Sequence, residues 1–558
     1  MKKKYVRWTL WTIASPFILF IILCILIYLP PIQNFLVDKA AVYASEATGM
    51  NISVGRISLS FPLNLVVTDV DAASPHNDTL LSVRRLQVNV QLLPLLKKQV
   101  EVDGISLQGA TVNSNDLIHG MKLNGTLGEL FISSHGVALD PETAIVNKVL
   151  LKDTDLSLCL NDTAAADTAA SDTTYWKIIL QDIDLQNVSF ALDMPLDSLS
   201  LAASLDNAIL RDGLIDLHKS AYSLQTFRIE NGRVRYDNGK PLAADSLSSG
   251  LDPSHIALTD IGVKLDSLYY GGRNMKAIIS QFVLKERSGV EIVSATGRMV
   301  SNDKVLRVPS LKLETRDSYL ELNAAMDWNA LDFKDEGLVS ARLMADIGKP
   351  DVVRFMGSMD EKFIRQYPSE PLRIRTGIDG DLNKLKLTTL TAELPGALGL
   401  FARGELTHLT DSLLRGGDIT LEAETKDLKF VSTLAEGIEI PYGTRLEGKF
   451  TMAGTKMGTD LLLMQPEAQA VVAADTIPIT VYNDSISVAD DFKMERAARL
   501  FAKYDLSRDR YEADLAVNHF DLHQFMPADS LYTLSTRLKV EGEGFDFFSP
   551  RTYFKAEG

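Results

Sequence analysis

Hydrophobic and polar residues alternate with a period of two over most of this chain. Ile57, Leu59, Phe61, Leu63 and Leu65 alternate with small or polar neighbours, as do Leu86, Val88, Val90 and Leu92. Ile105-Leu107, Leu156-Leu158-Leu160, Ile183-Leu185, Val188-Phe190-Leu192 and Leu311-Leu313 continue the pattern. Successive side chains of a strand point to opposite faces, so the pattern predicts sheets with one apolar and one polar face. Several runs slip phase by one residue, for example between Val83 and Leu86 and between Leu107 and Ala110. A bulge does that, and bulges add twist and curvature. Asn238-Gly239, Asp379-Gly380, Ser288-Gly289 and Gly416-Gly417 read as turns between strands. At ~14 residues per strand and turn, the chain after Gly49 makes about 35 strands.

The strands recur as phrases. Val102-Asp103-Gly104-Ile105-Ser106-Leu107 is echoed by Leu151-Lys152-Asp153-Thr154-Asp155-Leu156 and again by Leu180-Gln181-Asp182-Ile183-Asp184-Leu185. A longer unit runs from Ala341 to Phe355, from Glu422 to Phe430 and from Glu512 to Phe525. Each passes from an alternating strand into a short stretch ending in Phe. Such spacing predicts a multi-strand repeat and stacked architecture. Residues 161–174 (NDTAAADTAASDTT) are low-complexity and read as a flexible loop. Helical periodicity is scarce after Gly49, with Asp351 to Arg365 and Asp491 to Leu500 as weak candidates.

The N-terminus departs from this pattern. Residues 10–29 (LWTIASPFILFIILCILIYL) contain no charge, and at 1.5 Å per residue they span ~30 Å, the thickness of a hydrocarbon core. Lys2, Lys3, Lys4 and Arg7 precede them, which places that end in the cytosol. A cleaved signal peptide is the rival reading. The apolar run is longer than a typical signal core, and Tyr28-Leu29-Pro30-Pro31 is a poor cleavage site. Pro31 to Ala47 then reads as a helix, with Ile32, Phe35, Leu36, Tyr43 and Ala47 on one stripe and Gly49 as its stop. It either caps the first strands or lies on the outer membrane surface; capping is the simpler role.

Composition narrows the function. With 46% hydrophobic and 23% charged residues the chain is too apolar for disorder. Its net charge is −16, and setting aside the four N-terminal bases leaves −20, which repels phosphate backbones and disfavours nucleic acid. Cys24 and Cys159 give neither a disulfide framework nor zinc spacing. Asp379-Gly380-Asp381-Leu382-Asn383 hints at a calcium loop, but Lys384 and Leu390 stand where Gly and Glu are required, so a hairpin is the better reading. His519 and His523 are four apart but lie in an alternating segment with no Glu after the first, as surface histidines do. Nucleophile elbow, P-loop and dinucleotide fingerprint are all absent from the sequence. The chain reads as non-catalytic, without cofactor or metal.

The opening residues resemble a known pattern. A helix ending in Ala47-Thr48-Gly49 precedes Ile52-Ser53-Val54-Gly55-Arg56-Ile57-Ser58-Leu59, Leu65-Val66-Val67-Thr68-Asp69-Val70 and Leu80-Leu81-Ser82-Val83-Arg84-Arg85-Leu86. Leu92-Leu93-Pro94-Leu95-Leu96 and Val102-Asp103-Gly104-Ile105-Ser106-Leu107-Gln108-Gly109-Ala110 follow. As an ordered set this resembles the AsmA/TamB family of Gram-negative envelope proteins. Val517-Asn518-His519-Phe520-Asp521-Leu522, running into Gly542-Glu543-Gly544-Phe545-Asp546-Phe547-Phe548, is similar to its TamB branch, particularly members of Bacteroidota type.

The resemblance implies an elongated, taco-like antiparallel β-groove with an apolar concave face, anchored in the inner membrane and lying in the periplasm. Residues 1–9 are then a cytosolic tail, 10–29 the transmembrane anchor, 30–49 the capping helix and 50–160 an AsmA-like β-region. The loop at 161–174 leads into a repeating groove over 175–558 that is expected to continue beyond this chain. Related bridge proteins move lipids, so phospholipid is the implied ligand and outer-membrane biogenesis the implied role. The TamB branch docks on an outer-membrane barrel through a C-terminal domain that has no counterpart in this sequence. A scaffold for outer-membrane protein assembly without lipid conduction is the alternative. Leu156, Leu158, Ile183 and Leu185 recur in phrase and phase and are the expected groove-lining residues.

Overall fold

The computed structural model describes residues 41–42, 45, 50–60, 64–74, 79–90, 102–114, 120–138, 142–161, 176–240, 250–333, 336–356, 360–434, 437–466, 496–545 and 552–558. The expected tail, the anchor at 10–29 and nearly all of the loop at 161–174 lie outside them. Of the expected helix at 30–49, Ala41, Val42 and Ser45 are described, and they are helical. Among the described residues no helix is long and apolar enough to cross a membrane. Strands dominate the rest, in two compact units: residues 1–243 with 252–287, and 244–251 with 288–558.

The first unit holds β1 (Asn51–Ser60), β2 (Asn64–Ala73), β3 (Thr79–Val90), β4 (Val102–Asn113), β5 (Met121–Ala138), β6 (Thr143–Leu160) and β7 (Lys177–Met194). It continues with β8 (Leu199–Asp216), β9 (Ala221–Leu224), β10 (Thr226–Asp237), β11 (His255–Gly271) and β12 (Asn274–Glu286). Neighbours pair antiparallel with one exception: β6 and β7 run parallel, Thr143 beside Lys177 and Leu158 beside Leu192. This corrects the expectation of an antiparallel sheet throughout. Three side-chain bridges staple the seam: Asn147 Nδ2 donates to Gln181 Oε1 at 2.9 Å, Asn187 Nδ2 to Asp153 Oδ1 at 2.9 Å and Ser189 Oγ to Asp155 Oδ2 at 2.8 Å. Parallel pairing is slightly weaker per residue, and these bridges offset that. Strands β9 and β10 are one strand interrupted at Gln225, since both keep the same register against β8.

The second unit holds β13 (Glu291–Ser301), β14 (Val305–Thr315), β15 (Tyr319–Asp327), β16 (Leu338–Ile347), β17 (Leu372–Asp381), β18 (Lys384–Leu394) and β19 (Leu398–Thr407). Then follow β20 (Gly416–Thr425), β21 (Arg445–Ala453), β22 (Lys456–Met464), β23 (Ala497–Asp505), β24 (Arg510–Asp521), β25 (Thr533–Glu543) and β26 (Tyr553–Glu557). All of its described pairings are antiparallel. Helices are short: α1 (Trp328–Leu331), α2 (Lys349–Met356) and α3 (Glu361–Gln366). α2 and α3 fall on the candidate at Asp351 to Arg365, and the Asp360 side chain caps α3 by accepting from Lys362 N at 2.7 Å. The other candidate, Asp491 to Leu500, is corrected: Ala497 to Leu500 belong to β23, paired with β22 and β24.

The long repeat has a structural period of four strands. β16, β20 and β24 each lead into helical turns, at α2, at Val431–Thr433 and at Leu522–Gln524. An even period in an antiparallel sheet returns these connections to one edge. Phe363, Tyr367, Leu394, Ala397, Leu428 and Phe430 pack into a cluster along that edge. Ala330, Val339 and Leu382 pack at the opposite ends of the strands. Both buried clusters therefore sit at strand ends.

Two glycine signals were misread as turns. Asp379-Gly380 lies in β17 and Gly416-Gly417 opens β20. A Cβ on Gly380 would stand 2.0 Å from Lys384 O, and one on Gly417 2.1 Å from Glu405 O, so glycine there permits close backbone approach. Twenty-six strands are described, and β5, β6, β7 and β8 each run 18 residues, longer than the sequence spacing assumes.

Candidate functional site

A transverse line crosses the first unit. In each pairing from β1 to β8, and in that of β8 with β10, one position is skipped, and the skipped residues form a row. That row runs Gly55, Asp69, Arg84, Gly109, Gly128, Asp153, Asn187, Asp206 and Asn231. Five of these residues have left-handed backbone: Asp69 (φ 55°), Gly109 (φ 62°), Asp153 (φ 49°), Asn187 (φ 51°) and Asn231 (φ 55°). Asn, Asp and Gly are the types that tolerate that conformation in mid-strand. Each strand carries the irregularity at the same level, so the ladders on either side stay in register.

This row explains the phase slips. Apolar positions flanking it lie three residues apart instead of two: Val67 and Val70, Val83 and Leu86, Leu107 and Ala110, Leu127 and Leu130. The two flanking rows are continuous across the strands. Val83 pairs with Ala110, Ala110 with Leu127, and Leu127 with Thr154; Leu86 pairs with Leu107, Leu107 with Leu130, and Leu130 with Leu151. An unbroken strand would put positions three apart on opposite faces. The left-handed residue reverses the pleat, so both facets keep their apolar side chains on one face. Coverage falls away from the row. Beside the row Val83 is 5% exposed, Ala110 9%, Thr154 2% and Ala208 4%, whereas two positions outward Leu81 and Ile105 are 36% and Phe190 39% exposed.

A second break runs parallel to the first, six residues away, through Asn147, Gln181, Asp212 (φ 52°) and Gln225. Apolar positions again lie three apart across it, as in Val146 and Val149, Leu180 and Ile183, and Leu224 and Phe227. The long strands β6, β7 and β8 therefore have three facets where β1 to β4 have two.

The expected lining residues all lie on apolar rows of β6 and β7. Leu185 pairs with Leu151 and Ala208, next to the first break, and Ile183 pairs with Val149 and Leu210 on the same facet. Leu156 pairs with Gly125 and Phe190, and Leu158 with Leu123 and Leu192, on the facet across the break. All four are half-buried. Among the described residues of this unit only Ala72, Leu80, Val83, Ala110, Ala208 and Ile261 are buried apolar side chains. A packed core of this size would bury many Leu, Ile and Phe.

Matching rows cross the second unit. One passes through Leu311, Leu322, Leu343, Thr376, Leu390 and Ala402, and then through Leu421, Gly448, Leu461, Leu500, Leu515 and Leu538. The row two positions away includes Ala392, Leu400, Ala423 and Leu446, which help line a cleft of about 470 Å³. Between these rows side chains are mostly polar, and Arg499 there reaches across to Asp460 beside Leu461, with Nε to Oδ1 at 2.8 Å and Nη2 to Oδ2 at 2.5 Å. That hydrogen bonding raises the Arg499 guanidinium above its ordinary range against the opposing effect of burial.

The remaining candidate residues sit apart from these rows or play local parts. Asp381 accepts from Asn383 N and Lys384 N at 2.9 and 2.7 Å, closing the β17–β18 hairpin at the stretch that hints at a calcium loop in sequence. His519 contacts Asn518 Oδ1 at 2.7 Å, while the His523 ring stacks on Tyr532 at 5.0 Å. Among the described residues no three His, Cys, Asp or Glu side chains gather as a metal site. The one lining signal missed by sequence reading is the row itself, because register decides which irregular residues align. No family model matches the chain, and no curated protein matches it in sequence.

Proposed function

We propose that this protein is a non-catalytic lipid bridge whose concave apolar sheet face carries acyl chains. In this reading residues 10–29 anchor it in the inner membrane, the β-units lie in the periplasm, and phospholipid moves toward the outer membrane in support of its biogenesis. The observation that carries the reading is the set of continuous apolar rows across the sheet of the first unit, with few large side chains buried among its described residues. Lipid transfer through water exposes tails at ~0.8 kcal/mol per methylene, so on the order of 20 kcal/mol for two chains. A continuous apolar trough removes most of that barrier. The likeness of the opening residues to the AsmA/TamB family supports the same role.

A scaffold without lipid conduction would fill the same face by packing. Native mass spectrometry of the gently purified chain separates the two. Phospholipid should co-purify, and Leu158→Asp with Leu185→Asp should remove it while the thermal melt is kept. A buried unpaired charge in a filled core would cost several kcal/mol and collapse the melt. Such a collapse would favour the scaffold.

A further inference from the structure

Beyond the second break, the strands of the first unit lose their alternation. Ile145 and Ile179 are ladder partners, as are Ile179 and Leu214, and these side chains share one face. The next row, Ala144, Ile178 and Ile215, is apolar on the other face. A sheet edge wetted on one side should alternate apolar and polar residues. Here both faces are apolar, and none of these residues is buried.

The same edge gathers aromatic and basic side chains. Tyr222 and Tyr270 are ladder partners whose rings stack at 6.2 Å, and they are 40% and 47% exposed. Tyr269 projects from the opposite face at 41% exposure. Lys177, Lys219, Arg273 and Lys276 stand at or beside the strand ends. Among the described residues of the same stretch the acidic side chains are Glu142 and Asp216. Asp216 is buried, with Oδ1 accepting from Lys219 N at 3.0 Å. This basic edge belongs to a chain of net charge −16.

We propose that this edge, formed by the ends of β6 to β9, β11 and β12, docks on the surface of a bilayer containing anionic phospholipid. A thin edge that is apolar on both faces suits insertion among lipid headgroups better than contact with a single flat protein face. Tyrosine places an apolar ring and a polar tip at that depth, and lysine pairs with anionic headgroups. The docking does not depend on lipid travelling along the trough, so either can hold without the other.

The test uses the full chain held in amphipol, with Cys24 and Cys159 replaced by Ser. An environment-sensitive fluorophore is placed through Ser220→Cys in the β8–β9 turn or, as control, through Asn238→Cys beyond β10. Vesicles of phosphatidylcholine with phosphatidylglycerol should brighten and blue-shift the Ser220→Cys label and leave the control unchanged. High salt or omission of phosphatidylglycerol should reverse the effect. Lys177→Gln, Lys219→Gln and Lys276→Gln together, all at exposed positions, should weaken the titration about a hundredfold. No response to anionic vesicles, an equal response at both labels, or indifference to the three substitutions would overturn the proposal.

Discussion

Asn187 donates from Nδ2 to Oδ1 of Asp153 at 2.9 Å across the parallel pair β6–β7, and both residues hold left-handed backbone, with φ of 51° and 49°. The bridge therefore ties two bends of the sheet together at the point where strand direction reverses its alternation. Asn187→Val puts a β-branched residue at positive φ and should destabilise by about 1–3 kcal/mol. Asn187→Gly relieves backbone strain while losing one exposed hydrogen bond, so it should stay within about 1 kcal/mol of the parent. Urea unfolding of both variants checks this; equal losses would mean that the backbone conformation at the row carries no weight.

The bend was partly legible in the sequence. The spacings Val83 to Leu86 and Leu107 to Ala110 announce a phase slip, and the structure pairs Leu86 with Leu107 and Val83 with Ala110. What alternation cannot give is register, so the alignment of Asp69, Gly109 and Asp153 in one row became visible only with the strands paired. Nor does alternation carry strand direction, which is why the parallel seam was missed. Gly380 and Gly417 look like turn residues because local sequence does not reveal a neighbouring backbone 2.0 and 2.1 Å from their missing Cβ positions. Ala497 to Leu500 looked weakly helical, and pairing on both sides makes them strand.

Two phenylalanines close in sequence should behave differently. Phe363 is 2% exposed, packed edge-on to Phe430 at 5.6 Å, whereas Phe355 is 58% exposed. Phe363→Ala should cost about 3–5 kcal/mol through lost burial and a cavity. Phe355→Ala should stay within about 0.5 kcal/mol. Denaturant titration with hydrogen exchange over β17 to β19 reads both effects.

The Asp460–Arg499 pair tests the polar face. Its side chains are 16% and 15% exposed, so removing one partner strands a largely desolvated charge. Arg499→Leu should destabilise by about 2–4 kcal/mol. Asp460→Leu combined with Arg499→Leu should cost less than Arg499→Leu alone, because no unpaired charge remains. A double-mutant cycle on thermal stability measures the coupling.

His519→Ala with His523→Ala should leave phospholipid co-purification unchanged, since their ring contacts are to Asn518, Asp529 and Tyr532. Loss of lipid with circular dichroism preserved would point to a metal-dependent role for the pair.

The most direct test is photo-crosslinking in cells with a benzophenone amino acid at Leu185 and, separately, at its neighbour Gln186. Leu185 lies on the apolar row beside the first break, and Gln186 is exposed on the polar row between. If acyl chains travel over the concave face, phospholipid adducts form at Leu185 and at Leu151 and Leu156, and not at Gln186 or Lys152. Equal labelling at Leu185 and Gln186, or adducts confined to Gln186, would contradict a lipid path on this face.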